Sequence, residues 1–371
     1  MCEKPTTVSS TPNYRPDGSK MKALVWYGIE DVRMDYVPIS DITDDDDVIV
    51  KVTGTTICGS DLHLYDNALS RRSPSLVVNV IIASKSFSPS AIIPTSHRKT
   101  LYFLPGLSKI SHYETFICSL QMYMFGQKDS GIFGYSHFTG GYSGGQTEFV
   151  RVPKAEVNLL LIAGDIPDEK VLYLSDILPT SYHCVVDTGV KEGDVVGIWG
   201  LGPIGMCAAR WAQIKGASRV IGIDKYPARL DMARNKLGIE VVDFSTDADV
   251  VKRIYELVPR GLDVALNCST PRESKSLIHK VQKLLKLETD VPENVNEMMM
   301  AVKKGGRCGL IGDNVGFANG FNIGALMEKG IRLIGNGQAP VAKYWHKLLN
   351  DYILPAWDSL VTHRVPLEDT T

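Results

Sequence analysis

The chain has 371 residues, 44% hydrophobic and 22% charged, the composition of an ordinary folded protein long enough for two domains with their own cores. A formal net charge of −2 gives no electrostatic case for a nucleic acid or an anionic membrane as partner. No apolar run approaches the roughly 18 residues of a membrane span, and seven scattered cysteines without a CxxC pair argue against a disulfide framework and for a reducing, cytoplasmic setting.

Residues 1–20 are polar and rich in Pro, Ser and Thr, which predicts a disordered tail, and they lack the apolar core of a signal peptide. Residues 21–26 (MKALVW) and 48–52 (VIVKV) read as strands, and the acidic run from Asp44 to Asp47 between them as a solvated turn. Next comes Cys58-Gly-Ser60-Asp61-Leu-His63. A thiol, a hydroxyl, an acid and an imidazole so close together are the parts of a metal-assisted proton relay; a strand end running into a polar turn is the alternative.

The composition breaks beyond Arg72. Residues 73–121 hold 10 serines in 49 positions, with one glycine (Gly106) and one acid (Glu114). Two stretches, 76–83 and 101–107, are candidate strands, but no period is sustained, and His97 and His112 read as bystanders. Order returns at about Met122: a Gly- and aromatic-rich stretch (131–153) leads into a strand at 146–152. The segment from Tyr173 to Cys184 then has helical spacing, with Asp176 on its apolar side. A carboxylate so placed costs several kcal/mol unless paired or metal-bound, so Asp176 is a site candidate.

Residues 195–224 are the most informative stretch. An apolar run enters Gly200-Leu-Gly202-Pro203-Ile204-Gly205, an Ala-rich helical pattern follows, and a second apolar run ends on Asp224. Strand, Gly-rich turn, helix and strand with a terminal acid make up a dinucleotide-binding pattern, the alternative being a purely structural turn. In that pattern Gly200 makes the tight turn, Gly202 lets backbone approach a pyrophosphate, and Gly205 lets the helix lie close on the strand. Asp224 would accept from ribose hydroxyls and favour NAD over NADP, with Lys225 and Arg229 nearby pulling the other way. Further strands read at 240–244, 262–268, 307–311 and 331–336, and helices at 203–215, 227–237, 247–257, within 275–303, at 324–329 and at 341–349. Six strands with helices between them predict a doubly wound α/β sheet.

With TTICGSDLHLY (55–65), GYSHFTGGYSGGQTEFVRVP (134–153), LSDILPTSYH (174–183), GIWGLGPIG (197–205) and GALMEKGIRLIGNGQAP (324–340) in one order, the chain resembles the zinc-dependent medium-chain alcohol dehydrogenases, most closely the branch of glutathione-independent formaldehyde dehydrogenases. The resemblance covers residues 21–72 and 122–371. It implies a GroES-like β-barrel catalytic domain (21–187 and 341–371) with a Rossmann NAD-binding domain (188–340) inserted. It further implies a small alcohol or hydrated aldehyde as substrate, NAD and zinc as cofactors, and a homo-oligomer. By motif, Cys58 and Asp176 match the first and third ligands of the catalytic zinc. Ser60 and His63 match the relay that exports the alcohol's proton. Gly200, Gly202, Pro203, Ile204 and Gly205 match the pyrophosphate turn, Asp224, Lys225 and Arg229 the adenosine side, and Gln338, Ala339 and Pro340 the nicotinamide side.

Residues 73–121 depart from the pattern. The family's Gly-His-Glu triplet, source of the second zinc ligand, is absent there, as is its four-cysteine structural zinc lobe, of which only Cys118 remains. The chain also stops before the family's last helix and strand, so the barrel is expected to be incomplete. A catalytic zinc takes three protein ligands, which leaves three readings open: a zinc- and NAD-dependent dehydrogenase; an NAD-binding paralogue without turnover, or the same dehydrogenase with a segment read from a displaced frame; and a zinc-independent reductase.

Overall fold

The computed structural model describes residues 13–45, 47–58, 61–62, 65, 75–76, 81–86, 99–103, 133, 142–153, 155–163, 166–247, 249–269, 292–312, 318–337, 339–353 and 362–369. Ser60, His63, His97, His112 and Gln338 lie outside these residues. The chain divides into two units, Met1–Pro179 with Pro340–Thr371, and Thr180–Ala339.

The first unit is built on antiparallel strands. β1 (Lys20–Gly28) and β2 (Asp31–Pro38) form a hairpin, and β1 also pairs with β4 (Ser75–Leu76). A five-stranded sheet is made from β3 (Val48–Thr55), β5 (Ile81–Ser86), β6 (Lys99–Phe103), β7 (Phe149–Val152) and β8 (Leu159–Ala163), in the order β7-β3-β5-β6-β8. Val48, Val50, Val150 and Val152, two apart on facing strands, bury one side of it around Phe133. β5 and β6 come from the segment without a sequence period, yet they pair with β3 and β8. The segment therefore supplies sheet strands whatever its origin.

Two expectations change in this unit. The acidic turn is not solvated throughout: Asp47 is 1% exposed, accepts from the amides of Thr43 (3.0 Å) and Asp44 (3.1 Å), and pairs with Arg151 at 3.2 Å. The helix expected from Tyr173 is interrupted, because Leu172–Ser175 is a 3-10 turn and α1 (Ile177–Asp187) starts only after Asp176.

At the β1–β2 turn Glu30 has φ 55°, the left-handed region that glycine enters without strain. Its amide donates to Tyr65 O at 2.8 Å, which ties the turn to that residue. Glu30 is exposed and offers no packing to lose. Glu30→Gly should stabilise the fold by about 1 kcal/mol, read as a raised thermal midpoint.

The second unit is a six-stranded parallel sheet of β9 (Val195–Trp199), β10 (Arg219–Asp224), β11 (Glu240–Asp243), β12 (Leu262–Asn267), β13 (Val302–Leu310) and β14 (Arg332–Gly335). Its order, β11-β10-β9-β12-β13-β14, is the 3-2-1-4-5-6 order of a doubly wound dinucleotide fold. Strands covered on both faces must be apolar throughout, and β9, β10 and β12 are buried almost end to end. Helices α2 (Pro203–Ile214), α3 (Pro227–Met232), α4 (Val250–Leu257), α5 (Glu293–Ala301) and α6 (Ile323–Glu328) run between them. Asp249 and Asn322 cap α4 and α6, accepting from the amides of Lys252 and Ala325. Ile254, Met298 and Met299, on α4 and α5, close one face over Ile221, Leu262 and Ala265.

The chain then returns to the first unit through α7 (Val341–Leu348), whose Trp345 indole donates to Leu174 O at 3.2 Å. Near the C-terminus Arg364 forks onto Glu169 at 2.5 and 2.6 Å, and Lys22 meets Glu368 at 2.6 Å.

Candidate dinucleotide site and the Cys58 loop

The first crossover of the parallel sheet carries the turn. Gly200 leaves β9 with φ 92° and donates its amide to Ile223 O at 2.8 Å, and a Cβ there would stand 2.8 Å from Cβ of Ser269. At Gly205 a Cβ would fall 1.8 Å from Gly200 O, so α2 can rest on the turn only because residue 205 has no side chain. At Gly202 a Cβ would meet no protein atom within 4 Å, which makes this the open side of the turn. Pro203 opens α2 and no side chain caps it, so the first-turn amides and the positive end of the helix dipole are left for an anion.

Asp224 ends β10 only 3% exposed. Its Oδ2 accepts from the Leu201 amide at 2.7 Å, and its Oδ1 accepts from the amides of Lys225 (2.7 Å) and Tyr226 (3.1 Å). A carboxylate has about four acceptor positions, and backbone fills three, so Asp224 first of all ties the Gly-rich turn to the next strand. Arg229 stands 3.6 Å from Oδ2 and 4.6 Å from the centre of the Tyr226 ring, and the Lys225 ammonium lies 5.2 Å from the same centre. Tyr226, which sequence reading passed over, is thus an exposed ring beside two cations where β10 ends. Its only sequence signal was its place two residues after the strand's acid.

Across the sheet, the end of β12 is braced by Asn267, whose Oδ1 accepts from the Ser269 hydroxyl at 2.7 Å, and Asn294 donates to that hydroxyl at 2.8 Å. Past β14, Asn336 is 1% exposed, and Ala339 and Pro340 are buried.

In the first unit Cys58 is held by its neighbours. Its amide donates to Asp61 Oδ2 at 2.8 Å, and the Gln146 amide donates to the same oxygen at 3.1 Å and to Thr56 O at 3.3 Å. Asp61 and Gln146 are 6% and 2% exposed. The acid of the Cys-Gly-Ser-Asp motif is therefore a brace for the cysteine, a role its spacing alone did not disclose. Cys58 itself is half-buried and in no disulfide, and Asp176 is half-buried at the break before α1. Among the described residues no three His, Cys, Asp or Glu side chains gather closely enough to hold a metal.

Burial pushes Cys207 and Cys308 up to about 12, and a hydrogen bond with Cys268, followed by burial, raises Cys184. Only a thiolate reacts. A thiol reagent at pH 8 should therefore leave Cys184, Cys207 and Cys308 untouched in the native chain until denaturant is added, as peptide mapping would read out.

The profile of a zinc-binding dehydrogenase family matches residues 203–287. A zinc-type alcohol dehydrogenase-like protein of Schizosaccharomyces pombe is 38% identical over 379 aligned residues, covering 97% of this chain and 89% of that protein. A glutathione-independent formaldehyde dehydrogenase of Pseudomonas aeruginosa is 33% identical over 252 residues, 64% of this chain and 62% of that protein. Among solved structures, an alcohol dehydrogenase from Thermus superposes with a TM-score of 0.71 at 24% identity, over 90% of this chain and 89% of that one. Its likeness, with the sheet order above, places the chain in the GroES-like-plus-Rossmann architecture of medium-chain dehydrogenases. The chain belongs to the zinc-type alcohol dehydrogenase-like family and is an oxidoreductase of that family.

Proposed function

We propose that the chain transfers a hydride between a small alcohol, or a hydrated aldehyde, and NAD. The observation that carries this is the cradle at the β9–α2 turn: a left-handed Gly200, an open Gly202, a Gly205 with no room for a side chain, and an uncapped helix start. The bound nicotinamide supplies the hydride acceptor. The chain's part is to seat the pyrophosphate on the amides of Ile204 and Gly205, to set the adenosine against Tyr226 and Arg229, and to hold the far half along Gln338, Ala339 and Pro340. The last acceptor position of Asp224 serves a ribose hydroxyl, and its negative charge opposes a 2′-phosphate. Cys58, Cys184, Cys207, Cys268 and Cys308 are in no disulfide, which suits a reducing, cytoplasmic compartment. A homo-oligomer is part of the same reading.

Zinc is a separate matter. A thiolate from Cys58 and a carboxylate from Asp176 are donors that zinc takes, but two donors fall short of the three a catalytic site needs. The described residues therefore do not by themselves close a zinc site. The missing Gly-His-Glu triplet favours a second reading, a chain that binds NAD without turnover.

Titration with NADH, zinc analysis of the purified chain, and NADH formation from short alcohols or hydrated formaldehyde separate the two. The first reading expects binding, bound zinc that shields Cys58 from thiol reagents, and turnover. Tight NADH binding with no metal and no turnover would establish the second, and a folded chain that ignores NADH would sink both.

A further inference from the structure

Beyond β14 the chain passes to Gly337 from an anchored residue, Asn336. Asn336 donates its backbone amide to Leu310 O at 2.7 Å. Its side-chain amide donates to Asp187 Oδ2 at 2.9 Å, and its side-chain oxygen accepts from the Thr188 hydroxyl at 3.1 Å. Asp187 ends α1 and Thr188 follows it, so a clamp joins the C-terminal end of a helix to the C-terminal end of a strand. The strand between is made to fit: a Cβ at Gly309 would stand 2.1 Å from the Thr188 hydroxyl and 2.7 Å from the Asn336 oxygen. Glycine at 309 keeps that room free. A buried amide whose donor and acceptor are both used, by two neighbours on one turn, has a single orientation.

We propose that Asn336 is a positioning residue for the cofactor: by fixing where residues 337–339 depart, it sets where the nicotinamide half is held, and it leaves the adenosine half to the β9–α2 and β10 ends. This rests on the reading of the site as a dinucleotide site. A merely structural Asn336 would loosen the whole unit and weaken both halves of the ligand alike. A positioning Asn336 splits them, because the two halves are held by opposite sides of the sheet.

The test compares ADP-ribose, which carries everything but the nicotinamide, with NADH. In N336D two carboxylates face each other at the clamp; in T188V the hydroxyl donor is gone and the Asn336 oxygen loses its partner. Both variants should bind ADP-ribose within about twofold of the parent and NADH about tenfold more weakly, the scale of one buried polar group left unpaired. The double exchange N336D/D187N restores a donor opposite the carboxylate and should recover NADH affinity. Equal weakening of both ligands, or no change in either, would overturn the inference while leaving the cofactor site standing. A parent chain that binds ADP-ribose but not NADH would instead overturn the reading of the site.

Discussion

Gly205→Ala should cost the chain both its cofactor and several kcal/mol of stability, whereas Gly202→Ala, three residues away, should cost the cofactor alone. The difference lies in what a methyl group meets. At position 205 it would fall 1.8 Å from a carbonyl oxygen and 2.9 Å from its carbon, both backbone atoms of Gly200. Backbone cannot swing aside as a flexible side chain can. Either α2 lifts from the sheet or the turn opens, and overpacking of this kind costs about 3 kcal/mol. The residues displaced, Met206, Ala208, Ala209 and Trp211, are all buried, so the loss spreads into the core. At position 202 the methyl meets nothing within 4 Å, and φ there is −68°, ordinary for alanine. The thermal midpoint of Gly202→Ala should match the parent. Its NADH affinity should nevertheless fall about 100-fold, because the methyl occupies the side on which the pyrophosphate would approach the amides, a loss equivalent to about 3 kcal/mol. Thermal melts and fluorescence titrations on the two variants read this directly. A Gly202→Ala chain that binds NADH like the parent would mean that the pyrophosphate does not cross this turn.

The second unit was legible in sequence for a physical reason. Strands of a doubly wound sheet are covered on both faces, so Val195–Trp199, Arg219–Asp224 and Leu262–Asn267 are apolar runs that need no period to be seen. The first crossover is marked by Gly200 and Gly205, where an added Cβ has no room. The first unit gives weaker signals. β2 (DVRMDYVP) alternates only from Asp31 to Tyr36 and is exposed or half-buried throughout, so it marks no core face, and β8 (LLLIA) is too short to tell from a helical fragment. Asp47 could not be read as buried, because its partner Arg151 lies 104 positions away on β7. The clamp at Asn336 has the same character, joining residues 149 positions apart. Asp224 shows the opposite case: the motif marks it as a candidate ribose contact, while the geometry gives three of its acceptor positions to the backbone. Its carboxylate has to order the turn before it can serve a ribose.

The largest stability effect away from the cofactor should come from Arg307. Its guanidinium donates to Asp194 Oδ2 at 2.7 Å and to Gly189 O; the Arg307 side chain is 17% exposed and that of Asp194 is 5% exposed. Asp194 also accepts from the Lys191 amide at 2.9 Å, which organises the turn that feeds β9. Removing the cation alone, as in Arg307→Met, leaves a buried carboxylate with one backbone donor. Breaking such a pair costs about 3–5 kcal/mol, most of it the penalty of the stranded charge rather than the worth of the pair. The midpoint of thermal unfolding should fall by about 10 °C. Adding Asp194→Leu removes the stranded charge, so the double variant should be more stable than Arg307→Met alone even though it lacks one more polar group. That reversal is the decisive result, because additive contributions from two independent residues would make the double variant the worse. NADH affinity measured well below the midpoint should be unchanged in both variants. Asp194 stands before the first residue of β9, at the opposite end of the strand from Gly200, and a dinucleotide sits at the C-terminal ends of a parallel sheet. A fall in affinity that tracked the fall in stability would show instead that the two ends of β9 are coupled, and that the turn at Gly200 depends on how the strand is started.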